Sequence, residues 1–138
     1  MSTEINKQKA RTFFENADKG DMATWRAALA PDAVAQVNGD PEMSVEQFEG
    51  MASVFFKAFS NGRHVIENQM AEGDWVTTRM FWTAVHIDMF NGIPASNRPV
   101  RIASVACDRF QGGKIVEHRT TIDVMALLTQ IGAIPAAA

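Results

Sequence analysis

Tyrosine is absent from the 138-residue chain, and cysteine occurs once, as Cys107. Without a phenol, no site here uses tyrosine as acid, base or oxyanion donor. One cysteine excludes an intramolecular disulfide and a thiolate metal cluster, and it suits a reducing compartment. A surplus of positive charge is also missing. Thirteen Lys and Arg stand against sixteen Asp and Glu, for a net charge of −3, so the basic excess that carries most nucleic-acid binding is not there. No apolar run approaches the roughly 20 residues of a membrane helix. The opening segment, Met1 to Arg11, lacks the apolar core of a secretion signal. The expectation is a cytoplasmic domain with no nucleic-acid and no membrane partner.

What is plentiful is apolar bulk. Hydrophobic residues make up 46% of the chain, with nine Phe, eight Met and three Trp. That is enough for one core, and the length suits one domain spanning 1–138. No repeat, linker or compositional break divides it. Three scattered histidines have no metal-ligand spacing, so no metal site is expected. Neither a glycine-rich phosphate loop nor a serine-nucleophile elbow occurs.

The first half reads as helical. Ile5, Phe13 and Ala17 share a helical face that Gly20 terminates. Asp21 caps a second helix carrying Met22, Trp25 and Leu29, which Pro31 ends. Ala33 to Val37 reads as a short strand before the turn Asn38-Gly39-Asp40-Pro41. Ser44 and Gln47 form a capping box for a helix bearing Val45, Phe48, Met51, Ala52, Phe55 and Phe59, which Asn61-Gly62 stops. The second half reads as strands over 63–71, 75–87, 100–110 and 115–122, with a hairpin at Gly112-Gly113. Asp123 opens a short last helix ended by Gly132, and the tail from Ala133 to Ala138 has little to order it. Segregated helices and meandering strands give an α+β class. A strongly bent antiparallel sheet wrapped around a long helix leaves a cone-shaped internal pocket, whose walls methionine suits.

Five pieces carry a family resemblance. They are Glu72-Gly73-Asp74 with Val76 and Arg79; His86 before Phe90-x-Gly92-Ile93-Pro94; Asp108-Arg109-Phe110; Gly113-Lys114-Ile115-Val116-Glu117-His118; and Asp123 with Leu127-Leu128-x-Gln130-x-Gly132. In this order and spacing the chain resembles the SnoaL-like polyketide cyclases of the NTF2-like superfamily. Trp25 and Pro31-Asp32-Ala33 fit the same fold more loosely. The resemblance implies a cone-like α+β barrel, a homodimer formed through the outer face of the sheet, and chemistry that needs no cofactor. It also implies an intramolecular aldol condensation on a hydrophobic ketone-bearing small molecule such as a polyketide, with Asp123 as general acid/base. The chain departs from the family at Ala84-Val85, Ser96-Asn97 and Arg119. Relatives on this fold that depend on tyrosine, such as ketosteroid isomerase, fit poorly. The alternatives are a non-catalytic ligand-binding dimer or another hydratase, isomerase or hydrolase.

Each candidate residue has a plain reading beside the chemical one. Asp123 is the candidate base, and Asp directly before a helix is also a preferred N-cap. His86, at the end of a long strand, is the candidate to bind a carbonyl, orient Asp123 or shuttle a proton. The plain alternative is a solvent-facing strand end. Strand alternation from Asp123 places Glu117 and Arg119 on its face and His118 on the other, unless a bulge intervenes. Arg119 is then placed to grip a substrate oxygen, or else to pair with Glu117 or Asp108. A regular two-residue hairpin sets Asp108 opposite Glu117, Ala106 opposite Arg119 and Ser104 opposite Thr121. Val76, Met80 and Trp82 share the parity of His86 and are expected to line the pocket. Trp75, Phe81, Val85 and Ile87 take the outer face. Trp25 and Phe56 are expected in the core, and Cys107 is expected as a buried structural thiol.

Overall fold

A computed structural model describes residues 2–135. The last three residues of the tail lie outside the described residues. Helix α1 (Thr3–Lys19) starts at Ser2, whose Oγ accepts the Ile5 N–H at 3.1 Å, and ends at left-handed Gly20. Its inner stripe is Asn6, Ala10, Phe13, Phe14 and Ala17, whereas Ile5 is 48% exposed. Helix α2 (Met22–Ala27) is capped by Asp21. Leu29 and Pro31, expected at the end of that helix, belong instead to strand β1 (Leu29–Val37). Because β1 lies at the sheet edge, the missing N–H of Pro31 breaks no ladder between central strands.

The capping box forms at the start of α3 (Val45–Ala58). The Ser44 N–H donates to the Gln47 side chain at 2.9 Å and the Gln47 N–H to Ser44 Oγ at 3.2 Å. The helix stops before Phe59, which begins β2 (Phe59–Glu72). Asn61-Gly62 is therefore no helix stop. It sits in an irregularity within β2, where the register against β3 (Trp75–His86) shifts between Ser60 and Arg63. A Cβ on Gly62 would lie 3.2 Å from the Trp82 ring nitrogen, which explains the smallest residue there.

Strands β4 (Pro99–Gln111) and β5 (Lys114–Ile122) follow, and α4 (Val124–Gln130) closes the described fold. The sheet order is β1-β5-β4-β3-β2. Strands β2 to β5 pair antiparallel with their sequence neighbours, while β1 pairs parallel with β5. The curved sheet is thus mixed. Hairpins force the four consecutive strands to alternate, and no short connection constrains β1 against β5.

One feature of β5 decides what faces inward. The hairpin forms with Gly112 and Gly113 at φ 60° and 81°, pairing Gln111 with Lys114 and Phe110 with Ile115. The next pair is Arg109 with Glu117, so Val116 is an extra residue. Beyond this bulge the pairs are Asp108 with His118, Ala106 with Thr120 and Ser104 with Ile122, one residue off a regular hairpin. Side chains alternate with a period of two, so one inserted residue reverses the facing of every later side chain.

Two apolar clusters fill the cone. The larger joins α1, α2, β1 and the start of α3 to Val76, Met80, Ala106, Phe110 and Ile115. The smaller gathers Ala58, Phe59, Ala84, Phe90, Val100, Ile102, Leu127 and Ile131. Among the described residues no helix is long and apolar enough to cross a membrane.

Candidate active site

A cavity of about 150 Å³ touches both clusters. Its walls include Phe13, Phe14, Trp25, Phe48, Phe55 and Met80. Its size suits a ring-sized apolar molecule. Phe56, expected in the core, lines this cavity while remaining 43% exposed, which puts it at the opening. The polar side chains on the wall are His64, Ser104, His118 and Thr120.

His118 is the product of the bulge. It is 4% exposed, and its Nδ1 lies 2.5 Å from Oδ1 of Asp108, its cross-strand partner, which is fully buried. A carboxylate only accepts, so Nδ1 carries the hydrogen, and Nε2 is the atom that offers a lone pair in the neutral form of the ring. No described residue hydrogen-bonds Nε2, on a ring that lines the cavity. Phe13, Phe14 and Phe48 surround the imidazole, with ring centres 5.6, 6.3 and 5.1 Å away. Oδ2 of Asp108 is buried without a hydrogen-bond partner. A buried carboxylate with an unmet oxygen is costly unless paired, so this couple invests stability in one orientation of one ring.

A second imidazole is built the same way. Asp18, near the end of α1, accepts the backbone N–H of His64 at 2.8 Å through Oδ2. Its Oδ1 lies 2.6 Å from His64 Nδ1. The Phe14 ring lies 5.1 Å from that of His64. Both members of the pair keep about a fifth of their side-chain surface in solvent. Ser104 and Thr120 complete the polar set, with their hydroxyl oxygens 3.3 Å apart.

The expected residues separate into two groups. Met80 and Trp82 line the cavity. Val76 faces inward as its parity required, but in the closed core rather than on the cavity wall. Asp123 is exposed, caps α4 by accepting the Ala126 N–H at 2.9 Å, and does not line the cavity. The bulge is the reason: with His118, Thr120 and Ile122 inward, the odd-numbered residues face out.

Arg119 and Glu117 share that outward fate. Arg119 donates to Glu117 at 2.7 and 3.1 Å, to Gln36 at 2.7 Å and to Glu42 at 2.8 Å, which commits its guanidinium. Arg109 also pairs with Glu117. Hydrogen bonds from Arg119 first, and then Arg109, hold the Glu117 carboxyl below its ordinary value of 4.5. The hydrogen bonds that Arg119 donates to Glu117 and then to Glu42 raise its own value.

His86 is fully buried instead of sitting at a wet strand end. Its Nδ1 accepts the Ser96 N–H at 3.1 Å and lies 2.9 Å from Ser96 Oγ, so the ring fastens the loop after β3. It is not part of the cavity wall. Cys107 is half-buried rather than buried, with Sγ 3.5 Å from Thr77 Oγ1.

Sequence reasoning missed Asp18 and His64, considered Asp108 only as a partner for Arg119, and placed His118 on the outer face unless a bulge intervened, as one does at Val116. Two signals were available. In β4 the buried row is Val100, Ile102, Ser104, Ala106, Asp108 and Phe110, so a carboxylate stands in an apolar register. In α1, Asp18 follows Phe14 by four residues, which puts a charge beside the buried stripe.

A short helix-capped cone, open at one end onto an apolar hollow with fixed imidazoles, defines a small-molecule site on an NTF2-like fold. The SnoaL-like polyketide cyclase profile matches residues 8–131, and the chain belongs to that family. Solved relatives agree. AclR from Streptomyces galilaeus, a candidate hydroxylase, is 27% identical with a TM-score of 0.92, covering 99% of this chain and 87% of its own. IdmH from Streptomyces antibioticus, a candidate polyketide cyclase, is 27% identical with a TM-score of 0.83, covering 92% and 98%. A candidate SnoaL-like cyclase from Jannaschia sp. CCS1 is 25% identical with a TM-score of 0.84, covering 96% and 95%. No curated protein matches the sequence.

Proposed function

We propose that the protein is a cofactor-independent acid/base enzyme acting on a hydrophobic ketone-bearing small molecule, with His118 rather than Asp123 as its base. The polyketide cyclase reaction, an intramolecular aldol condensation, is the form the family favours. The observation that carries the reading is the Asp108–His118 couple, whose Nε2 meets no protein partner on the wall of an apolar cavity.

In the proposed reaction the Nε2 lone pair removes a proton from the carbon next to a carbonyl. The C–H pair moves into a C–C double bond, and the carbonyl pair moves onto oxygen, giving an enolate. Asp108 stabilises the imidazolium that forms and fixes its tautomer. The enolate carbon then attacks a second carbonyl in the same molecule, and the imidazolium returns its proton to the new alkoxide. The reading includes a cytoplasmic homodimer packed through the outer sheet face, where Trp75, Ile87 and Val105 are exposed.

The test uses 2-tetralone, a two-ring ketone with acidic α-hydrogens, in D₂O. Wild-type protein is expected to speed α-deuteration, read by NMR. His118→Gln should lose about 10²–10⁴-fold of that acceleration. Saturable binding of 2-tetralone without accelerated exchange would favour a non-catalytic ligand carrier instead.

A further inference from the structure

We propose that His64, held by Asp18, is a second catalytic residue that meets the substrate's carbonyl oxygen and protonates it as the charge develops. The inference rests on the base assignment above for its place in the reaction, and on independent geometry for the residue. Both oxygens of Asp18 are committed to His64, one to the ring and one to the backbone. That double attachment fixes the ring relative to α1 more firmly than a single contact would. His64 shares the cavity wall with His118, and the Phe14 ring neighbours both imidazoles, at 5.1 and 6.3 Å. No described residue hydrogen-bonds His64 Nε2.

The two rings differ in their access to water. His118 and Asp108 are sealed, while His64 and Asp18 keep about a fifth of their side chains in solvent. A base that starts neutral tolerates burial among aromatic rings. A ring that carries charge as the acid costs less where it touches water, and the hydroxyl proton returns to it when the C–C bond forms and the carbonyl is restored. In its protonated form His64 donates the Nε2 hydrogen to the substrate oxygen while His118 takes the α-proton. One C–H and one N–H bond break, one N–H and one O–H bond form, and the enol results without a net change in charge. Asp18 is a positioning residue, since it reaches the substrate only through His64.

The test separates oxygen recognition from proton abstraction. 2-Naphthol, a planar enol mimic, is compared with 2-methylnaphthalene, which lacks the hydroxyl. Wild-type protein should prefer the naphthol by about tenfold, the worth of one good hydrogen bond to a charged group. His64→Leu should abolish that preference, and His118→Gln should retain it while losing tetralone exchange. On wild-type protein, 2-naphthol should also move the ¹⁵N resonance of His64 Nε2. Asp18→Asn should shift the tautomer signature of that ring in the folded protein. A preference that survives His64→Leu, a bound naphthol that leaves the His64 resonance unmoved, or no binding of naphthol would each overturn the assignment. Undiminished tetralone exchange in His118→Gln would instead overturn the base reading alone.

Discussion

On the outer face of β5, Glu117 lies between Arg109 and Arg119, and Arg119 reaches on to Gln36 and Glu42. On the inner face of the same strand, His118 has one polar partner, Asp108, and aromatic rings around it. The two clusters are built from similar charged groups within a few residues of each other. Water separates their roles. The outer network satisfies its members mutually and shares their charge with solvent, where an ion pair contributes little, about 1 kcal/mol or less. The inner couple has no solvent to share with and leaves a carboxylate oxygen and a ring nitrogen without protein partners. Under the proposed function the reactive groups belong to the inner arrangement, because unmet hydrogen-bonding capacity on an apolar wall is what a substrate can use.

The sharpest way to break this contrast is to remove the inner imidazole. His118→Leu should keep the bulge and fill the space while leaving Asp108 buried without its partner. Loss of one member of a buried pair costs roughly 3–5 kcal/mol. Urea denaturation should register that loss, together with complete loss of tetralone exchange. Retained exchange would mean that His118 is not the base.

A smaller effect is expected at the end of the strand. Asp123→Ala should cost about 1 kcal/mol through loss of the α4 cap, whereas Asp123→Asn, an equally good cap, should be close to neutral. Neither should alter exchange by more than the change in folded protein. A large loss of exchange in a fully folded Asp123→Asn protein would return the catalytic role to Asp123.

The smallest effect concerns pH. Because the folded Glu117 carboxyl lies below its ordinary value of 4.5, its ion pairs stabilise the protein above that value. The contribution fades as pH falls through the range of the folded carboxyl. Denaturation of Glu117→Gln should therefore fall below wild type by at most about 1 kcal/mol near neutrality, converging with it in acid. Exchange activity should not respond, since Glu117 is on the outer face.

Much of the scaffold was legible in local signals. Ser44 and Gln47 form their capping box, Gly112-Gly113 turns the hairpin, and Val76, Met80 and Trp82 point inward as alternation requires. Boundaries were less legible. Pro31 reads as a helix end yet sits in an edge strand, and Asn61-Gly62 reads as a stop yet sits in a strand irregularity. Both signals mark a break in regular geometry without saying which element is broken. The site was the least legible part. His86 and Asp123 have suitable chemistry and the wrong surroundings, one fastening a loop and the other capping a helix.

The sequence by itself determined the element types, the hairpin and the family, because caps, turn glycines and apolar periodicity act over a few residues. Only the tertiary structure decided which histidines meet the cavity. The facing of β5 depends on one unpaired residue, Val116, and the placing of His64 depends on a carboxylate from a distant helix. Strand pairing and helix docking settle both through contacts between segments far apart in the chain, to which local pattern is blind.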